Sequence, residues 1–128
     1  MNFRIATKNY AVDNLLDFKG RASRWEYWGG SLGFSFILFL VGIISGIISE
    51  ITYSFTAFSS LIIIFYFWAI IANLSSSIRR LHDVGKSGWN LLWTLTGFGA
   101  FYILFLDVQP SVQKDNEWGP PPPHTVEI

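Results

Sequence analysis

The fold is decided by residues 28–49, WGGSLGFSFILFLVGIISGIIS, which contain no Asp, Glu, Lys, Arg or His. Two more stretches share this property, FTAFSSLIIIFYFWAIIANL at residues 55–74 and GWNLLWTLTGFGAFYILFL at residues 88–106. A helix of about 20 residues rises about 30 Å, the thickness of the hydrocarbon core of a bilayer. The sequence therefore predicts an all-α integral membrane protein with three transmembrane helices.

Composition agrees with a membrane location and narrows the chemistry. The chain has 128 residues, enough for one compact domain, and 51% of them are hydrophobic and 18% aromatic. It has no cysteine, which excludes disulfides and thiolate metal sites. His82 and His124 are far apart and no ligand spacing surrounds them. We therefore expect no metal and no cofactor. We also expect no nucleic-acid partner.

The basic residues are placed unevenly along the chain. Before the first apolar stretch lie Arg4, Lys8, Lys19, Arg21 and Arg24; between the second and third lie Arg79, Arg80 and Lys86; Lys114 follows the third. Basic residues stay on the cytoplasmic side of a membrane. With three spans, the five basic residues before the first stretch and the three between the second and third lie together on that side, eight of the nine in all. The amino terminus is then cytoplasmic and the carboxyl terminus periplasmic.

The third apolar stretch leaves an alternative open. The sequence Thr96-Gly97-Phe98-Gly99 lies near its middle, and glycine weakens a helix there. The stretch could break into two short helices that enter the membrane and return as a re-entrant hairpin. The carboxyl-terminal tail would then be cytoplasmic.

The segments outside the apolar core complete the predicted organisation. Residues 1–24 form an amino-terminal segment that is either an interfacial helix or a partly ordered tail. Residues 25–107 form the three-span domain, and residues 108–128 form an extended polar tail. Four consecutive prolines in NEWGPPPPHTVEI favour polyproline II conformation there.

Three polar motifs carry a family resemblance. They are GRASRWEYW at residues 20–28, RRLHDVGKSGW at residues 79–89 and NEWGP at residues 116–120. With the apolar stretches between them, from about Tyr10 to Pro122, they resemble the YhaH-type family of small bacterial inner-membrane proteins, the "domain of unknown function 805". The resemblance implies the bacterial inner membrane as the location. It implies no established activity, so no catalytic or cofactor-binding residue is transferred.

The first two motifs predict a polar latch at the cytoplasmic ends of the helices. Charged side chains are costly inside a bilayer, so we expect them to pair near its surface. The latch residues are Glu26, His82 and Asp83. Glu26 can reach Arg79 or Arg80, and Asp83 can reach Arg21 or Arg24, with local pairing of Asp83 to Arg79 or Arg80 in competition.

A second interpretation of the same region is a binding surface. Its candidate residues form a basic collar: Arg21, Arg24, Arg79, Arg80 and Lys86. Cationic side chains at this depth attract anionic lipid headgroups, and a protein partner with an acidic segment could use them equally. The opposing argument is that Glu26 and Asp83 already occupy the arginines.

Two other function classes and self-association remain open. A headgroup-modifying enzyme would use His82 as a base, and a small transporter or channel would need an oligomer, since the spans lack ionisable residues. The spacings Gly29-x-x-x-Gly33 and Gly42-x-x-x-Gly46 favour close helix packing, either internally, with a second copy or within a larger complex. The expectation is a non-enzymatic structural or accessory protein.

Overall fold

The computed structural model describes residues 2–122, which are helical apart from loops and one isolated backbone bridge. The elements are α1 (Phe3–Lys8), continued by a wide π-helical turn (Asn9–Asp13); a second π-helical turn (Trp25–Gly29), continued by α2 (Gly30–Thr52); α3 (Phe55–Asp83); a 3-10 helix (Gly88–Leu95); and α4 (Gly99–Val108). The all-α prediction is confirmed for this part of the chain.

Two of these helices are long and apolar enough to cross a membrane. They run over Trp25–Thr52 and Phe58–Asp83. In the most apolar 18-residue stretch of each helix, only 11% and 22% of the residues, respectively, are buried inside the protein. The core helix of a water-soluble protein would be mostly buried, so this exposure favours contact with lipid. The helices are joined through Tyr53, whose φ of 54° is left-handed and turns the chain back.

The third apolar stretch does not form a third continuous helix. Its 3-10 helix of 8 residues rises about 16 Å and α4, of 10 residues, about 15 Å, each about half of the hydrocarbon thickness. Between them Thr96 has extended backbone, and its hydroxyl accepts a hydrogen bond from the Gly99 amide at 3.0 Å. This side-chain bond satisfies the backbone amide of the first residue of α4.

Both ends of the third stretch lie beside the last turns of α3. A Cβ on Gly88 would lie 2.9 Å from the Ile78 side chain, and the Asp107 carbonyl oxygen is 3.0 Å from Arg80 Nε. The stretch is therefore a hairpin that starts and finishes at one end of the molecule. The three-span arrangement that the sequence favoured is not found here, and the hairpin alternative describes the geometry.

The amino-terminal segment is ordered and packs on α2. The segment approaches α2 closely at Gly30, where an added Cβ would lie 2.5 Å from Tyr10 Cβ and 2.8 Å from the Ala6 carbonyl oxygen. Burial raises the pKa of the Tyr10 phenol, and a hydrogen bond with Asn73 partly offsets this effect. The first glycine pair, Gly29 and Gly33, faces the same segment, since added Cβ atoms would contact Ala6 and Thr7, so this pair serves internal packing. Gly42, by contrast, has open space around it.

Two small apolar clusters hold the described helices together. The first joins Tyr10 and Ala11 to Phe34 of α2 and Ala72 of α3, and Trp68 Nε1 donates to the Ala11 carbonyl at 2.7 Å. The second contains Leu81, Ile103 and Leu106, and fixes the hairpin to the end of α3. This arrangement brings the amino-terminal segment, α3 and the hairpin to one end of the molecule.

Candidate functional site

The candidate site is a buried arginine cluster at this shared end, and Arg80 lies at its centre. Its side chain is 0% exposed and pairs with Asp83 at 2.5 Å, three residues along the same helix. The guanidinium also donates to the backbone carbonyl oxygens of Ala22 at 3.1 Å, Asp107 at 3.0 Å and Gln109. One side chain therefore joins the loop before α2, the end of α3 and the end of α4.

Arg21 fastens the tail to the same cluster. It pairs with Asp83 at 3.0 Å and donates to the carbonyl oxygens of Val112 at 2.5 Å, Lys114 at 2.9 Å and Gly119 at 3.1 Å. Five donors in a rigid fork suit a guanidinium to this task, which a lysine could not perform. The carboxyl-terminal tail is thus bound beside the amino-terminal segment.

Glu26 forms the second buried pair of the cluster. Its carboxylate lies 2.5 Å from Arg79 Nη1 and also accepts from Asn14 Nδ2 at 3.2 Å. The Glu26 amide donates to Ser23 Oγ at 3.1 Å, so Ser23 caps the turn that begins the first span. Of the partners that the sequence left open, Glu26 has Arg79, and Asp83 has Arg21 together with the local Arg80.

His82 has a positional role in this geometry. Its Nδ1 lies 2.9 Å from the Gly20 carbonyl oxygen, and its ring stacks on Trp118 with centroids 4.4 Å apart. The His82 carbonyl accepts from Asn116 Nδ2 at 3.0 Å. These contacts place the third sequence motif directly against the second.

The NEWGP motif forms a tight turn, and the expectation of extended conformation is wrong for residues 116–119. The Asn116 and Gly119 backbones exchange two hydrogen bonds of 3.0 Å, and Gly119 has a φ of +112°, which favours glycine. The turn presents Trp118 to His82. Pro120 to Pro122 follow it, and the remainder of the predicted polyproline stretch lies outside the described residues.

The basic collar is divided by the structure into buried and accessible members. Arg21, Arg79 and Arg80 are almost fully buried in their side chains and are paired with carboxylates. Lys86 is exposed, and Arg24 is half-buried, with Nη1 3.5 Å from the Val108 carbonyl oxygen. A collar of five accessible cations is therefore not what the structure shows, because three of the five are buried. The guanidinium nitrogens of Arg21 and Arg80 are all bonded, whereas Arg79 bonds to Glu26 through Nη1, and its Nε and Nη2 have no hydrogen-bond partner among the described residues.

Two residues that contact the cluster, Asp107 and Trp118, lie outside the sequence-derived set. Asp107 is 2% exposed and follows the third apolar stretch directly, a position that could have marked it as an interfacial carboxylate. Trp28 Nε1 donates to its carbonyl oxygen at 3.1 Å. Trp118 carries no periodic signal, and only the tertiary fold shows that it stacks on His82. Within residues 2–122, no group of His, Asp and Glu is arranged to hold a metal ion.

The fold and the cluster together define a class: a small helical membrane protein whose polar residues fasten a hairpin and a tail to two long apolar helices. The chain belongs to the family described as "Protein of unknown function (DUF805)", which it matches over residues 15–120. The resemblance noted in the sequence motifs is thereby confirmed.

Two relatives carry the same description of location. The chain is 27% identical over 116 residues to "Inner membrane protein YhaH" of Escherichia coli (strain K12), covering 87% of this chain and 91% of the relative. It is 32% identical over 112 residues to "Inner membrane protein YhaI" of the same organism, covering 87% and 90%. No solved structure gives a significant match. Together with the two apolar helices, these relatives support a bacterial inner-membrane protein.

Proposed function

We propose that this protein is a non-enzymatic accessory protein of the bacterial inner membrane, built from two spans and a half-depth re-entrant hairpin, with both termini cytoplasmic. The observation that carries the proposal is the buried cluster of Arg21, Arg79 and Arg80. Its guanidinium groups bond to carboxylates and backbone carbonyls of four chain segments. The polar chemistry of the three sequence motifs is thus directed at holding the fold.

The orientation follows from where the basic residues lie in this fold. Because the hairpin returns to its starting end, Lys114 joins the other basic residues there, and all nine fall on one side. The connection between α2 and α3 contains none of them. Basic residues near span ends remain cytoplasmic, so this side is the cytoplasm and the α2–α3 connection is periplasmic. A carboxyl terminus in the cytoplasm replaces the periplasmic one expected from three spans.

The contacts of His82 support a non-enzymatic role. Nδ1 is held by the Gly20 carbonyl and one ring face is covered by Trp118. A general base needs a carboxylate that orients it and a substrate proton within reach. The carboxylate of the next residue, Asp83, is instead bonded to Arg21, Arg80 and Ser111. The histidine therefore acts in the latch together with Glu26 and Asp83.

The accessible cations are the part of the collar proposed to contact anionic lipid headgroups. Lys19 and Lys86 are exposed, and Trp89 beside them is 77% exposed at the start of the hairpin. Indole rings favour the headgroup region, and each nearby cation contributes about 1 kcal/mol of attraction to an anionic surface. An acidic segment of a protein partner is the alternative occupant of these lysines.

Native mass spectrometry of the protein extracted with mixed lipids tests this role. We expect phosphatidylglycerol to be retained in preference to phosphatidylethanolamine, and the Lys19→Gln, Lys86→Gln double variant to lose that preference. The matched control is Lys114→Gln, which removes an exposed charge from the tail. Equal retention of both lipids by the unaltered protein would contradict lipid contact and favour a protein partner.

Self-association is proposed on the outer face of α2. Gly42 and Gly46 have no atom within 4 Å of an added Cβ, so this face is open to a neighbouring helix. Small residues permit close helix approach where lipid supplies no hydrophobic force. The same mass spectra report the copy number, and Gly46→Ile should convert an oligomer to a monomer. An unchanged copy number would exclude this face.

A further inference from the structure

A cleft of about 800 Å³ lies between α3 and the hairpin, and its chemistry differs from that of the arginine cluster. Its walls are mainly apolar, with Ala69 and Ile70 on α3 opposite Leu95 and Ile103 on the hairpin. Volumes of about 300–1,000 Å³ are typical of small-molecule sites. The cleft therefore has the size and lining for an amphipathic molecule with an apolar chain.

One end of the cleft is polar, and Asp107 is the charged residue among the described residues that line it, with Arg80 close enough to interact with it electrostatically. Tyr27, Asn73, Ser77 and Asp107 line it, and the lining contains no Lys, Arg or His. The Tyr27 hydroxyl interacts with both Ser77 and Asp107. Tyr27, Asn73 and Ser77 can both donate and accept hydrogen bonds, whereas the ionised Asp107 carboxylate can only accept them. Asp107 therefore makes this end favour a ligand that donates.

Asp107 supplies the observation that points to an absent partner. Its side chain is buried, yet its Oδ1 atom has no hydrogen-bond donor within the described residues. Arg80 and Trp28 bond to its backbone carbonyl and so leave this oxygen unpaired. A buried carboxylate oxygen without a donor is costly, and such atoms call for a specific explanation.

We propose that this cleft binds an amphiphile with a primary ammonium head, which donates to Asp107 Oδ1 while its apolar chain lies between α3 and the hairpin. An ammonium group has three donors and no acceptor, which matches the acceptors at the polar end. Hydrogen bonds to charged groups are stronger than those between neutral groups. A head with a phosphate alone would face the Asp107 carboxylate and be repelled.

The test compares dodecylamine with dodecanol on the detergent-solubilised protein by calorimetric titration. The two probes share one apolar chain and differ in charge. The amine is expected to bind about tenfold more tightly or better, as a charge-assisted hydrogen bond implies. In Asp107→Asn, which keeps the side-chain volume, that preference should disappear while dodecanol binding is unchanged.

Controls separate the site from general attraction to the protein. Asp115→Asn removes an exposed carboxylate of the tail and should keep the preference for the amine. Ala100 is an exposed residue of the cleft wall, so Ala100→Phe should block both probes without entering the core. Equal affinity of the two probes for the unaltered protein, or a preference that persists in Asp107→Asn, would overturn the proposal.

A competition experiment identifies the source of the ammonium group. Phosphatidylethanolamine that displaces dodecylamine would make the natural occupant a membrane lipid. Failure to displace it would support a soluble amphiphilic amine at the same site. Since none of these probes depends on the exposed lysines, failure here leaves the accessory role and its lipid test unaffected.

Discussion

Replacing Arg80 by glutamine is expected to lower the stability of the detergent-solubilised protein by about 3–5 kcal/mol, the range for removing one partner of a buried ion pair. The substitution leaves Asp83 without its nearest cation and frees the carbonyls of Ala22 and Asp107. The loss should appear as a clear drop in the midpoint of thermal unfolding. Arg80→Lys should recover only part of it, because lysine keeps the charge but cannot reach all these oxygens.

The matched control is Lys86→Gln, six residues further along the chain. Lys86 is exposed, so its loss should change stability by no more than about 0.5 kcal/mol. For the second buried pair, a double-mutant cycle of Glu26→Gln and Arg79→Gln should give a coupling energy clearly different from zero, about 0.5–3 kcal/mol, since the side chains are in contact. Similar losses for Arg80→Gln and Lys86→Gln would mean that the cluster is a solvated surface.

A second large effect is expected at the tip of the hairpin, where Gly99→Ala should disrupt the break between the two short helices. An added Cβ would overlap the Trp93 carbonyl oxygen and Thr96 Oγ1. The Trp93 backbone cannot move aside as a flexible side chain can, so the turn between the two short helices must open to accommodate the Cβ. Overpacking of this kind costs about 1–3 kcal/mol or more, measurable as a lower midpoint of thermal unfolding.

Gly97→Ala provides the control from the same turn. An added Cβ on Gly97 has no atom within 4 Å, so this substitution should leave the midpoint nearly unchanged. The contrast distinguishes a hairpin from a continuous helix. If the stretch were one straight helix, alanine at both positions would stabilise it slightly, and a gain in stability for Gly99→Ala would contradict the hairpin.

The spans at residues 28–49 and 55–74 could be predicted because length and apolar composition alone decide them. The end of the second span could not be placed. α3 continues to Asp83, because the charges of its last turns are neutralised by partners from other segments. Sequence reasoning treated those charges as a boundary, whereas tertiary pairing allows the helix to extend through them.

The third stretch shows the limit of composition more clearly. Residues 88–106 meet the length criterion for a span, and only Gly97 and Gly99 argued against it. The hairpin is instead held by two contacts with α3, that of Asp107 with Arg80 and that of Gly88 with Ile78. Both are tertiary contacts, which composition cannot predict. The same holds for the ion pairs of Glu26 and Asp83. The sequence limits their possible partners to a few arginines, and only the three-dimensional structure shows which arginine each carboxylate contacts.

The arrangement of the third stretch can be tested by labelling single cysteines in intact cells, since the natural chain has none. Tyr53→Cys lies in the α2–α3 connection and Lys114→Cys in the tail, both at exposed positions. With a membrane-impermeant maleimide, we predict that Tyr53→Cys is labelled directly and that Lys114→Cys is labelled only after the inner membrane is opened. Direct labelling of both would place the tail in the periplasm and contradict the re-entrant hairpin.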